Sequence, residues 1–253
     1  EMSRGLGEVY KRQYQDRFKD ASDFTFIFVG NVDVEKMKPV IAEYLGALPA
    51  VNRKETFKDN KIEMRQGIYK NEFTKQQETP KASVFAFYNG DCKYDLRNNL
   101  LLSMTSQILD LVYTEKVRED EGGTYGVYVG GTLQKYPKEK AILQIIFDTA
   151  PEKKEKLMKI IFGEIDNITK TGPSEANLNK VKEYMLKKHN EDLKENGYWL
   201  NSIDEYLYTG IDPVKDYEQI VNSITAKDVR QFANELLKQQ NQITVSMISP
   251  EKK

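Results

Sequence analysis

The stretch REDEGGTYGVYVGG, residues 118–131, is where one hydrophobic period gives way to another. Upstream, Leu101, Met104, Ile108 and Leu111 recur at helical spacing, which predicts a helix over 96–117. Downstream, Tyr125, Val127 and Val129 alternate with Thr124, Gly126 and Tyr128, the period of a strand. Arg118 closes the helix, and Glu119, Asp120 and Glu121 fray into the loop, since acids are poorly placed at a helix C-terminus. Gly122 and Gly123 can take positive φ and reverse the chain. Arg118 and Tyr125 then face each other across the turn. A guanidinium offers donors to carbonyl or carboxylate oxygens, and a phenol offers an O–H to an oxyanion. Such a pair can hold a peptide carbonyl. From the residues alone the plainer reading also stands: Tyr125 packs as a strand aromatic, and Arg118 pairs with Glu121 or another local acid.

Working outward, IYKNEF and SVFAFYNG precede this helix as strands, and AILQIIFDT (141–149) follows as another. The next helix carries Leu157, Ile160, Ile161, Ile165 and Ile168 inward and its lysines outward, and Gly172 and Pro173 end it. Ser174 caps a further helix with the stripe Leu178, Val181, Met185 and Leu193. His189 lies on that stripe and reads as a partly buried core histidine. Two helical segments follow, WLNSIDEYLYTG and YEQIVNSI. Thr225 with Asp228 forms an approximate capping box, and QITVSMISP closes the chain as a strand.

Toward the other end, FTFIFVG (24–30) reads as a short buried strand after a helix. Asp33 caps a second helix through Val34, Met37, Ile41, Leu45 and Leu48, which Pro49 stops. The helix–gap–strand unit ending in FTFIFVGNVD matches the unit ending in QITVSMISPE, which suggests two homologous domains in succession. Residues 1–50 are then the end of one domain, 51–66 a charged linker, and 67–253 the next domain.

Composition excludes several functions. The net charge of −1 gives no field that favours nucleic acid or an anionic membrane. No apolar run approaches the roughly 20 residues of a membrane span, and no signal-peptide core is visible near Glu1. With one cysteine, Cys92, and one histidine, His189, the chain can build neither a disulfide nor a usual catalytic zinc site. A stand-alone enzyme using His189 with Cys92 finds no third orienting residue. No phosphate loop or dinucleotide fingerprint is present.

Three stretches together resemble the pitrilysin/insulinase family of zinc metallopeptidases, in the C-terminal portion that carries no zinc. They are FTFIFVGNVDVEKMKPVIAEYLGALPA (24–50), VREDEGGTYGVYV (117–129) and the closing helix and strand (225–250). Val117 stands where the family pattern has leucine. The resemblance implies an α+β fold of the metallopeptidase (LuxS/mitochondrial processing peptidase-like) kind, a mostly antiparallel sheet covered by helices. It implies a bacterial endopeptidase in which Tyr125 stabilises the oxyanion and Arg118 binds the substrate backbone. Zinc and the glutamate base come from an N-terminal half or partner subunit, and this chain binds no metal. By the same resemblance the partners are that zinc-bearing half and a peptide substrate, and the isolated chain is inactive. The alternative is a non-catalytic peptide-binding or assembly module on the same fold. The scarcity of cysteine fits cytoplasm or a disulfide-poor envelope; the cell envelope or periplasm is favoured over the cytoplasm.

Overall fold

The computed structural model describes residues 2–121 and 126–249, with side chains over 7–117 and 126–249. Contacts divide the chain into two units, Glu1–Lys61 with Glu195–Asp204, and Ile62–Lys194 with Glu205–Lys253.

In the first unit, helices α1 (Met2–Phe18) and α2 (Val34–Tyr44) flank a segment without regular structure. Asp33 caps α2 as expected, its side chain accepting from the Lys36 amide at 3.2 Å. A second acid ties the unit together. The Asp20 carboxylate accepts from the amides of Ser22, Val51 and Arg53, each at 3.0 Å, and from the Ser22 hydroxyl at 2.6 Å. These bonds, the Ser22 hydroxyl foremost, hold the carboxyl down at about 2.

The expected buried strand at 24–30 is a correction. Residues 24–29 form no strand and pair with none among the described residues. Phe24, Phe26 and Phe28 are exposed, and Phe24 and Phe26 stand edge-on to each other, with Phe24 also edge-on to Phe18. The apolar, β-branched composition suits a strand, but a strand also needs neighbours to take its backbone hydrogen bonds.

The second unit is a five-stranded sheet in the order β1-β5-β2-β4-β3. Its strands are β1 (Ile68–Thr74), β2 (Lys81–Asp91), β3 (Val127–Gln134), β4 (Lys140–Thr149) and β5 (Gln242–Ser249). Only β1 and β5 run parallel; the other pairs are antiparallel. The mixed sheet bears out the α+β, mostly antiparallel expectation. The helices are α3 (Leu96–Glu121), α4 (Lys154–Lys170), α5 (Glu175–Asp192), α6 (Asn196–Thr209), which spans both units, α7 (Tyr217–Ser223) and α8 (Ala226–Leu237).

Along β4 buried and half-buried residues alternate without a break, so one sheet face is closed and the other is open. On the closed face Val84, Ala86, Leu143, Ile145 and Phe147 join one core with Met104 and Ile108 of α3, Ile161 and Ile165 of α4, and Val229 and Leu236 of α8. Each large side chain fully buried there contributes about 1.5–3 kcal/mol. The fully buried Tyr113 donates its hydroxyl to the Ile161 carbonyl at 3.0 Å, tying α3 to α4.

The caps expected from sequence are present. Ser174 accepts from the Asn177 amide, and Thr225 and Asp228 form a full capping box. His189 is buried, as expected, and stacks on Tyr217 with ring centroids 4.0 Å apart. Three details differ. Leu111 and Ile160 are half-buried, because each lies at the margin of its helix stripe. Lys154 is buried rather than outward, because it forms ion pairs with Glu72 of β1 and with Glu155. Finally, α3 does not end at Arg118 but continues to Glu121.

Candidate functional site

Arg118 is placed by α3, one turn before its last residue. Its side chain, and the whole of Tyr125, lie outside the described residues. The frame around them is described. After residues 122–125, Gly126 leads into β3, which pairs with β4 from Val127↔Phe147 to Gln134↔Lys140. The helix before the turn lies hard against the strand after it. A Cβ at Gly131 would come within 2.6 Å of Leu102 Cγ and 2.8 Å of Ser106 Oγ, so this closeness requires glycine. The sequence reading left Gly130 and Gly131 without a task. At Gly130 a Cβ would meet the Tyr128 hydroxyl at 2.5 Å, so the Tyr128 side chain lies over it.

On the open sheet face a shallow groove of about 540 Å³ begins at Gly126, the residue after Tyr125. Ser83 and Phe85 of β2, Ile146 and Asp148 of β4, and Met247 of β5 line it. Lys81 closes one side, donating to Asp148 Oδ2 at 3.1 Å. The sheet register forces this grouping, since Phe85 pairs with both Ile146 and Val245, and Ser83 with both Asp148 and Met247. The lining is apolar with a charged rim, which suits side chains of an extended polypeptide. Single-residue patterns missed this groove because it draws on three strands far apart in sequence.

Neither Cys92 nor His189 lines the groove. Cys92 is half-buried, and burial first, then Asp95, Glu235 and Glu139, push its thiol up to about 11. It is therefore protonated at neutral pH and a poor nucleophile. Burial holds His189 below the ordinary histidine range, against a smaller opposing pull from Glu218 and Asp192. No three metal-ligating side chains come together among the described residues, so these residues do not fit a zinc ion. No described helix is long and apolar enough to cross a membrane.

Residues 12–185, which include Arg118 and Tyr125, match the family described as "Peptidase M16 inactive domain". The chain belongs to this family. The family resemblance is thereby borne out, and two of the stretches that carry it, 24–50 and 117–129, lie within the matched residues. The M16 inactive domain is also similar to a curated zinc protease PQQL-like protein of Arabidopsis thaliana, 24% identical over 199 residues. That match takes in 74% of this chain and 21% of the relative. Among solved structures, the periplasmic protease PqqL from Escherichia coli shares the fold with a TM-score of 0.71 at 19% identity, over 88% of this chain and 25% of that one. A protease from Helicobacter pylori gives a TM-score of 0.72 at 20% identity, over 88% of this chain and 54% of that one. A peptidase M16 inactive domain from Pseudomonas fluorescens gives 0.67 at 19%, over 88% and 53%. The M16 inactive domain thus spans only a fifth to about half of the proteins it resembles.

Proposed function

We propose that this chain is the substrate-binding, C-terminal part of a zinc endopeptidase. The observation that carries the reading is the family match, which encloses both Arg118 and Tyr125. In this reading the α3–β3 turn carries the two groups into a cleft shared with a zinc-bearing half. Tyr125 donates its phenolic O–H to the oxyanion that forms as the scissile carbonyl becomes tetrahedral. Arg118 donates to neighbouring backbone carbonyls and holds the peptide in register. The groove beginning at Gly126 takes side chains on one face of the extended substrate. Water activation and its zinc ion belong to the other half, whether an N-terminal region of the same polypeptide or a partner subunit.

The domain arrangement read from the sequence belongs to the same proposal: 1–50 ends a preceding homologous domain, 51–66 links, and 67–253 is the last domain. The division between Lys61 and Ile62 supports it, as does the unpaired strand-like segment at 24–29. One structural neighbour is a periplasmic protease, which favours the cell envelope as the compartment.

The test is to combine the chain with a zinc-bearing half and measure peptide hydrolysis. Activity is expected only from the combination. Tyr125→Phe lowers kcat by about 100-fold or more and leaves zinc content unchanged. Unchanged turnover removes the oxyanion role. A second reading, a non-catalytic peptide-binding module, is favoured by the word "inactive" in the family description. It requires that no H-x-x-E-H motif stand in the parent gene or its partner, which sequencing decides.

A further inference from the structure

On the closed side of the sheet, β1 turns Ile68, Lys70 and Glu72 toward α4. At one end of this contact the charges meet, and Glu72 is ion-paired with the buried Lys154. At the other end Lys70 and Asp166 carry the same complementarity but do not meet. They stand on the lining of a cavity of about 370 Å³. Its apolar walls are Ile68, Phe162, Ile165 and Leu237. Tyr88 of β2 also lines it, 8% exposed, and its hydroxyl makes no hydrogen bond to any other described residue. The hydroxyl keeps some access to solvent from the cavity, since Asn89 Nδ2 is the one fully buried side-chain polar atom without a partner among the described residues. Burial, and then the Asp166 carboxylate, keep that hydroxyl protonated and hence a donor. Gln240 at the rim adopts a left-handed conformation, with φ of 56°.

We propose that this cavity binds a free α-amino acid with a large apolar side chain. The ammonium group pairs with Asp166. The carboxylate accepts from Lys70 and from the Tyr88 hydroxyl, and the side chain rests on Phe162, Ile165 and Leu237. The volume lies within the range of small-ligand pockets. The ligand supplies the two opposite charges that the Lys70–Asp166 contact lacks, and so bridges β1 to α4 as the Glu72–Lys154 pair does at the other end. The site is separate from the α3–β3 turn. It opens on the other face of the sheet, and Tyr88 is seven residues along β2 from Lys81, about 23 Å. It does not depend on the peptidase reading.

The experiment is a nuclear magnetic resonance titration of the 253-residue chain with L-phenylalanine and L-leucine. N-acetyl-L-phenylalaninamide, which has neither charge, is the control. Saturable shifts at the amides of 68–70, 88 and 240–242 are expected, with a Kd in the millimolar range or tighter. The neutral control should bind about 10-fold more weakly. Lys70→Gln, at an exposed position, and Tyr88→Phe should each weaken binding about 5- to 10-fold. The proposal fails if no saturable shift appears by about 10 mM, or if the neutral control binds as well as the amino acids. It also fails if Lys70→Gln binds like the unaltered chain, a test that stands whether or not Tyr88→Phe folds.

Discussion

Gly131 of β3 and Leu102 of α3 approach so closely that a Cβ on the glycine would lie 2.6 Å from Leu102 Cγ. Leu102 is 1% exposed and so has little room to give. Gly131→Ala is therefore expected to destabilise the chain by about 1–3 kcal/mol through overpacking, read as a lower thermal midpoint. Gly126→Ala, where a Cβ meets nothing within 4 Å, should leave the midpoint nearly unchanged. Equal midpoints for the two variants would contradict the close packing of helix on strand.

The Asp20 clasp makes an acid-sensitive prediction. Its carboxyl is held down at about 2 in the folded chain, against about 4 when unfolded. A depressed folded value gives stability that is complete above about pH 4 and lost as the pH falls toward about 2. Asp20→Asn should be less stable than the unaltered chain near neutrality, and the gap should close over that window. Denaturant midpoints measured from pH 6 down to pH 2 test it, and a gap independent of pH would refute it.

His189 predicts a different window. Burial lowers its folded value below the ordinary one, so the unfolded chain binds the proton more readily. Stability then falls as the pH drops through about 6.5. His189→Gln removes the titration. The unaltered chain should lose thermal stability between pH 7.5 and 5.5 more steeply than this variant. Parallel curves would show that the ring's protonation is not coupled to folding.

Arg118 sits on regular helix, so its backbone position is fixed by α3. If it binds the substrate backbone, Arg118→Lys keeps the charge but loses the planar fork. The expected result in the assembled peptidase is a raised KM with a smaller change in kcat, whereas Tyr125→Phe acts mainly on kcat. A purely structural arginine would instead lower the thermal midpoint and leave both constants of the folded enzyme alone.

Much of the local structure is legible in the sequence. The 3.6 period of Leu101, Met104 and Ile108 specified α3, and Thr225 with Asp228 specified the start of α8, because caps and stripes depend on neighbours a few residues away. The end of α3 was misread by three residues, since acids disfavour a helix C-terminus only weakly. The inward turn of Lys154 was not legible, because its partner Glu72 lies on β1, far away in sequence.

By itself the sequence determined the family, the caps and stripes of the helices in the second unit, and most of its strands. Tertiary structure decided what required distant segments to meet. It set the order β1-β5-β2-β4-β3, and with it the groove that gathers Phe85, Ile146 and Met247. It also decided that FTFIFVG, apolar enough for a sheet core, stays exposed while QITVSMIS is paired on both sides by β1 and β2. Both segments are β-prone, and FTFIFVG is the more apolar of the two. They differ in whether other strands are present to take their backbone hydrogen bonds, and no local pattern encodes that.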